Sequence, residues 1–241
     1  MPQTQAISRL AALEIRTALR GLGTGAETME EVAGRLVNYL YLHLRDAAAG
    51  RQICALVRLF KTHAFGHLPP DVQRRAQLHG VEAVMPDTRC LTLLASAGDE
   101  PAWNSRQASV GHQAIPLVSR EIVLQSPMIS QLLTQFGLDI GTVIASDSLL
   151  LHHDEASTYN VFHVPDAVDS PYVPVQENFV VPYGIKSVLG FGGPLTGGDL
   201  FAIIVFSKLQ LSAETVEMFN GIALSAKLAL LSVAEKPVFR E

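Results

Sequence analysis

Within this 241-residue chain, "LLHHDEAS" sets His152, His153, Asp154 and Glu155 side by side. Imidazole and carboxylate are ligands for divalent metals. Neighbouring side chains on an extended segment point to opposite faces, so the two histidines make a poor clamp and the run reads as a solvated loop. "KTHAFGHLPP" spaces His63 and His67 four apart, the interval of helical zinc ligands. Gly66 and the Pro69–Pro70 pair oppose a helix there, and the glutamate of an H-E-x-x-H motif is missing. His163 in "NVFHVP" lies on an apolar strand, where an imidazole is either a haem-iron ligand or a hydrogen-bonded core residue. "WNSRQASVGHQ" offers Trp103 for stacking, Arg106 as an anion fork and His112 as a neutral donor. That set suits a small acidic or aromatic ligand; a structured polar loop is the plainer alternative. Tyr172 and Tyr183 either close a pocket or pack.

Five glycines fall between residues 190 and 198, in "GFGGPLTGG". A dinucleotide fingerprint would need glycine where Leu195 stands, and a Walker A loop would need lysine where Gly198 stands. Both need a helix next, to turn its N-terminus toward the anion. The next residues are instead "DLFAIIVFSK", a strand by composition. The glycines are therefore expected to turn a corner between two antiparallel strands. No G-x-S-x-G elbow is present, and Cys54 within "ICALV" reads as an inert buried thiol. The expectation is a chain without catalytic residues.

The elements that must position these groups belong to a chain with a real core. Hydrophobic residues make up 48% and charged residues 17%, which excludes disorder. The formal net charge is −5, and Arg74-Arg75 is the one adjacent basic pair, so no nucleic acid partner is expected. No apolar run approaches the ~20 residues of a membrane helix. "MPQTQAISRL" lacks the apolar stretch of a secretory signal. Cys54 and Cys90, with no C-x-x-C, fit a reducing compartment. The expected location is a bacterial-type cytoplasm.

Apolar spacing predicts helices over 5–21 and 27–46, then a strand over 52–63. A long connection over 64–88 holds a short helix, and "RCLTLLASAG" is the next strand. "HQAIPLVS" is briefly extended, and "PMISQLLTQFG" is helical, with Pro127 in the first turn. From 159 to 182 four prolines forbid a long helix and leave strand and loop. Paired strands over 183–208 precede a helix over 212–233, N-capped by Ser212. This order defines an α+β fold, a single antiparallel sheet with helices on one face.

The C-terminal elements "YGIKSVLGFG", "PLTGGD", "LFAIIVFSK" and "LSAETVEMFNGIALSAKLALLSV" resemble the end of a GAF domain, the sensory fold of phytochromes, cyclic-nucleotide phosphodiesterases and histidine kinases. "AETMEEVAGRLVNYL" followed by "CALVRLF" is similar to the opening of that domain. The resemblance covers residues 180–233 and is weak over 64–165. It lacks both the phytochrome chromophore cysteine and the cyclic-nucleotide signature.

The resemblance implies a GAF/PAS-like central antiparallel sheet with terminal helices on one face and long loops on the other. Residues 1–26 would be an N-terminal helical extension and residues 27–241 a single sensory domain. The implied function is non-enzymatic: a regulatory module binding an unidentified small molecule and signalling through its terminal helices. The alternatives are a haem-binding gas sensor and a ligand-free dimerisation scaffold. The resemblance leaves the cofactor open. The expected partners are a second copy of the chain, met through terminal helices, and a histidine kinase or other transmitter domain. The pocket is expected between the sheet and segments 103–113 and 159–183, because loops must cover the apolar face of "FAIIVF". Arg106, His112, His163, Tyr172 and Tyr183 are expected to converge there.

Overall fold

The computed structural model describes residues 7–78, 84–109, 113–124, 126–136, 139–145 and 161–240. Helix α1 spans Arg9–Gly21 and α2 spans Met29–His43. Each starts on a side-chain cap: Ser8 accepts from the Ala11 amide, and Thr28 from the Glu31 amide. Glu31 reaches back to accept from the Glu27 amide at 3.0 Å, one residue before the position a capping box would use.

Strand β1 spans Cys54–Ala64, and after a short turn α3 covers Pro70–Gln77. Strand β2 lies at Arg89–Gly98 and β3 at Ala114–Pro116. Three short helices come next: α4 at Arg120–Leu124, α5 at Pro127–Gln135 and α6 at Ile140–Ala145. Of these only α5 is predicted by the sequence; α4 and α6 are too short for an apolar period to develop. The chain closes with β4 at Val161–Val164, β5 at Ser187–Pro194, β6 at Leu200–Ser207 and α7 at Ala213–Leu231.

The six strands form one antiparallel sheet in the order β3-β2-β1-β6-β5-β4. Its two central strands, β1 and β6, come from opposite halves of the chain. One face buries Val57, Leu59, Phe191, Phe201, Ile203 and Val205 under α1, α2 and α7. The other buries Leu56, Phe60, Phe162, Val188, Ile204 and Phe206 under α4, α5, α6 and the loop leading to β5. The α+β arrangement, helices on one face and irregular cover on the other, is the one that the GAF resemblance implies.

The glycine-rich corner is a strand–turn–strand connection. β5 and β6 pair from Ser187↔Ser207 to Pro194↔Leu200. Gly197 (φ 78°) and Gly198 (φ 80°) supply the left-handed backbone of the turn. Gly192 has a different role: a Cβ there would lie 2.0 Å from the carbonyl oxygen of Phe201 on the next strand.

Candidate functional site

Where β1, β2 and the β5–β6 turn end together, the sheet opens into a cleft of about 820 Å³. Lys61, His63 and Ala64 come from β1, Arg89 from the first position of β2, and Asp199 from the turn. The segment 66–70 forms one side, and Val238, Phe239 and Arg240 of the C-terminal segment form another.

Strands as apolar as "CALVRLF" are held in the sheet by backbone pairing and burial, and they carry their last charged residues into the interior with them. Lys61 is 5% exposed, His63 6% and Arg89 6%. Lys61 is compensated: its Nζ forms an ion pair with Asp199 Oδ2 and donates to the Thr62 carbonyl at 3.0 Å. Asp199 also accepts from Thr62 Oγ1 at 3.2 Å, and Thr62 Oγ1 accepts from the Leu200 amide at 2.8 Å. This network fastens the glycine turn to β1. Arg89 has no such partner among the described residues. Its Nη1 is buried with no hydrogen bond among them, and burial disfavours its charged form while Asp199, at longer range, favours it.

His63 Nδ1 lies 3.3 Å from the Lys61 carbonyl, so it carries the proton and donates. Burial first, and then the charge of Lys61, push the imidazole down to about 3, so it is neutral at ordinary pH. Its Nε2 is a buried acceptor without a hydrogen bond among the described residues.

The C-terminal segment is tied to α2 rather than loose. The carbonyls of Pro237 and Val238 accept from the amides of Met29 (3.0 Å) and Glu30 (2.8 Å), donors that a helix start leaves open. Lys236 Nζ donates to the Ala26 carbonyl at 2.6 Å, and the Arg240 amide to Glu30 at 3.1 Å. Phe239 then lies between two groups, its ring 5.4 Å from the His63 ring and 5.2 Å from the guanidinium carbon of Arg106.

The five residues singled out from the sequence take different places. Arg106 is buried, with Nε 2.8 Å from Glu30 and Nη1 3.5 Å from Asp71, so its fork joins α2 and α3 and backs Phe239. Tyr183 is on the other side of the sheet, its ring 4.5 Å from Trp103 and 6.0 Å from Phe179. Tyr172 is 40% exposed. His163 is half-buried on β4, paired in register with Leu189, and burial lowers its affinity for a proton. His112 and the run His152–Glu155 lie outside the described residues. On the loop face a void of about 20 Å³ is lined by Thr62, Leu91 and apolar residues of α5 and α6.

Sequence reasoning missed Lys61 and Arg89, although each is a cation inside a strand of otherwise apolar character. His63 and His67 do line one site, as strand and turn residues rather than as a helical pair. No group of three or more His, Cys, Asp or Glu placed to hold a metal ion occurs among the described residues. Burial raises both thiols, Cys54 and Cys90. No helix among the described residues is long and apolar enough to cross a membrane.

The fold is one antiparallel sheet, helix-covered on one face and covered by loops and short helices on the other. No protein-family model and no curated protein sequence matches the chain. Among solved structures it is similar to the free methionine-R-sulfoxide reductase of Neisseria meningitidis in complex with its substrate, at 11% identity and a TM-score of 0.47 over 96% of each chain. It is also similar to the GAF domain of an Acinetobacter phosphoenolpyruvate-protein phosphotransferase (14% identity, TM-score 0.42, 94% of each chain). A third similar structure is the phycocyanobilin-bound GAF domain of a cyanobacterial phytochrome (9%, TM-score 0.45, 91% of this chain and 93% of that one). One of the three is an enzyme and two are GAF domains.

Proposed function

We propose that this chain is a non-enzymatic sensory or regulatory module that binds a small molecule in the cleft at the end of its sheet and relays occupancy to its terminal helices. The observation that supports this is the construction of the cleft. One wall is the sheet end, with Lys61, His63 and Arg89; the other is the segment that comes after α7 and is bonded to the start of α2. A molecule seated there touches both at once. It shifts the position of that segment only by binding one arrangement more tightly than another. Arg106 belongs to the site as the residue behind Phe239.

The output in this reading passes through a homodimer. Leu10 and Leu13 of α1 are 66% and 55% exposed, and Leu228 of α7 is 44% exposed, so apolar side chains remain on the outer surface of the terminal helices. A histidine kinase or another transmitter domain is the proposed receiver. A second reading places the ligand on the loop face, with Tyr172 and Tyr183; the half-buried Trp103–Tyr183 ring pair favours it, while His163, paired with Leu189, is turned to the helix-covered face.

Native mass spectrometry of the purified protein, with an ultraviolet–visible spectrum, tests these readings together. The expected result is a dimer mass with a retained small molecule and no Soret band. A Soret band selects haem instead. Backbone amide shifts on removing and returning the retained molecule then decide between residues 61–67 with 238–240 and the loop face.

A further inference from the structure

We infer that the cleft takes a small oxyanion that carries its own O–H donor, such as a singly protonated phosphate group or a hydroxycarboxylate; this rests on the cleft being the ligand site. Three observations converge. Arg89 is a buried guanidinium that has no ion pair, and whose Nη1 has no hydrogen bond, among the described residues. A buried charge is stable only when paired and hydrogen-bonded, and a guanidinium presents a planar fork that matches an oxyanion. The nearby carboxylate, Asp199, is already engaged on both oxygens, by Lys61 and by Thr62.

His63 supplies the second requirement. With its Nδ1 proton committed to the Lys61 carbonyl, the ring presents a bare Nε2 lone pair. A fully deprotonated oxyanion would meet that lone pair with another, and the two would repel. A ligand with an O–H beside its charged oxygens satisfies both groups, accepting from Arg89 and donating to His63.

The third observation is the sign of the surroundings. Lys61, Arg89 and Arg240 line the cleft against Asp87 and Asp199, three cations to two carboxylates. With Lys61 and Asp199 cancelling, Arg89 sits at the inner end and Arg240 at the exposed rim. Such a field attracts anions and opposes a divalent cation. The volume of about 820 Å³ exceeds what a bare ion fills, so the oxyanion is the anchoring group of a larger molecule.

Inorganic phosphate and sulfate serve as probes, added to the isotopically labelled wild-type chain at matched ionic strength and about pH 6, where a phosphate group still holds a proton. Phosphate is expected to shift the amides of residues 61–67, 89 and 238–240 saturably, and sulfate to bind about fivefold more weakly, the value of one hydrogen bond. Arg89→Gln is expected to weaken phosphate at least tenfold and Arg89→Lys less, while His63→Leu brings phosphate and sulfate together. The wild-type comparison of the two anions stands even where a variant folds poorly. Equal binding of phosphate and sulfate to the wild-type chain overturns the inference. So does an absence of anion binding alongside a neutral retained molecule that shifts the same cleft amides, which leaves the cleft as the ligand site. A retained molecule that shifts loop-face amides instead overturns both.

Discussion

The two covers of the sheet and its open end are closed by different physics. Beneath α1, α2 and α7, long apolar side chains such as Leu36, Leu40 and Phe219 interlock with Phe191, Phe201 and Val205. Across the sheet, short helices and loops bring Leu132, Leu133, Phe136 and Val180 onto Phe162, Ile204 and Phe206, and a void there measures about 20 Å³. The loop cover is thus built from leucine, phenylalanine and valine side chains rather than from a long amphipathic helix. A cleft of about 820 Å³ lies at the strand ends, where Lys61, His63 and Arg89 are buried. Among the described residues, the cleft goes with buried charge and the loop cover with apolar side chains.

The most severe break is expected at Gly192. Gly192→Ala forces a Cβ into the Phe201 carbonyl, where only backbone movement can relieve it, and should cost about 4 kcal/mol or more in urea unfolding. A loss under about 1 kcal/mol would mean that β5 and β6 can separate there freely.

Matched truncations sharpen the contrast between the covers. Leu36→Ala under the helices is expected near the upper end of the range for buried leucine, about 4 to 5 kcal/mol, and Leu132→Ala beside the void near the lower end, about 2 to 3. Equal values would erase the difference in packing.

Asp199→Asn leaves Lys61 buried without its counterion, and a loss of about 3 kcal/mol is expected. Adding Lys61→Met should recover much of it, and a double-mutant cycle measures the coupling.

The neutral state of His63 gives a smaller, pH-dependent effect. The unfolded chain takes up a proton near the ordinary histidine value of about 6.5, which the folded protein refuses until about 3. Stability is thus fully present above the unfolded value and falls as pH drops below it, by about 1.4 kcal/mol per pH unit. Lys61, His67, Arg89 and Asp199 face this ring or lie close to it, and the burial of His163 acts in the same direction. Unfolding of the wild-type chain and His63→Gln at about pH 7 and about pH 5 isolates the contribution; parallel losses would sink it.

Least costly to the fold, Leu10→Glu with Leu13→Glu should change stability by under about 0.5 kcal/mol per site while abolishing the dimer in sedimentation. A wild-type chain that sediments only as monomer would remove the proposed dimer.

Much of the fold was legible because it rests on local rules. Ser212 caps where its side-chain oxygen says it should, "RCLTLLASAG" is a strand end to end, and the corner at 194–199 turns on glycine. The site was less legible because it rests on separations of a hundred residues or more. Lys61 meets Asp199 only once β1 lies beside β6, and His63 meets Phe239 only once the C-terminal segment docks on α2. Arg106 reads in sequence as an anion fork, and an anion fork it is, but Glu30 and Asp71 supply the carboxylates. Its partners lie 76 and 35 residues away, beyond any local pattern.

The bonds from Met29 and Glu30 to the carbonyls of Pro237 and Val238 make two amide protons into a clock. The first donors of a helix ordinarily face solvent and trade their hydrogens for deuterium quickly. Here they do so only when the C-terminal segment lifts. Their exchange rate therefore counts each departure of that segment, and any occupant of the cleft that holds Phe239 in place must slow it.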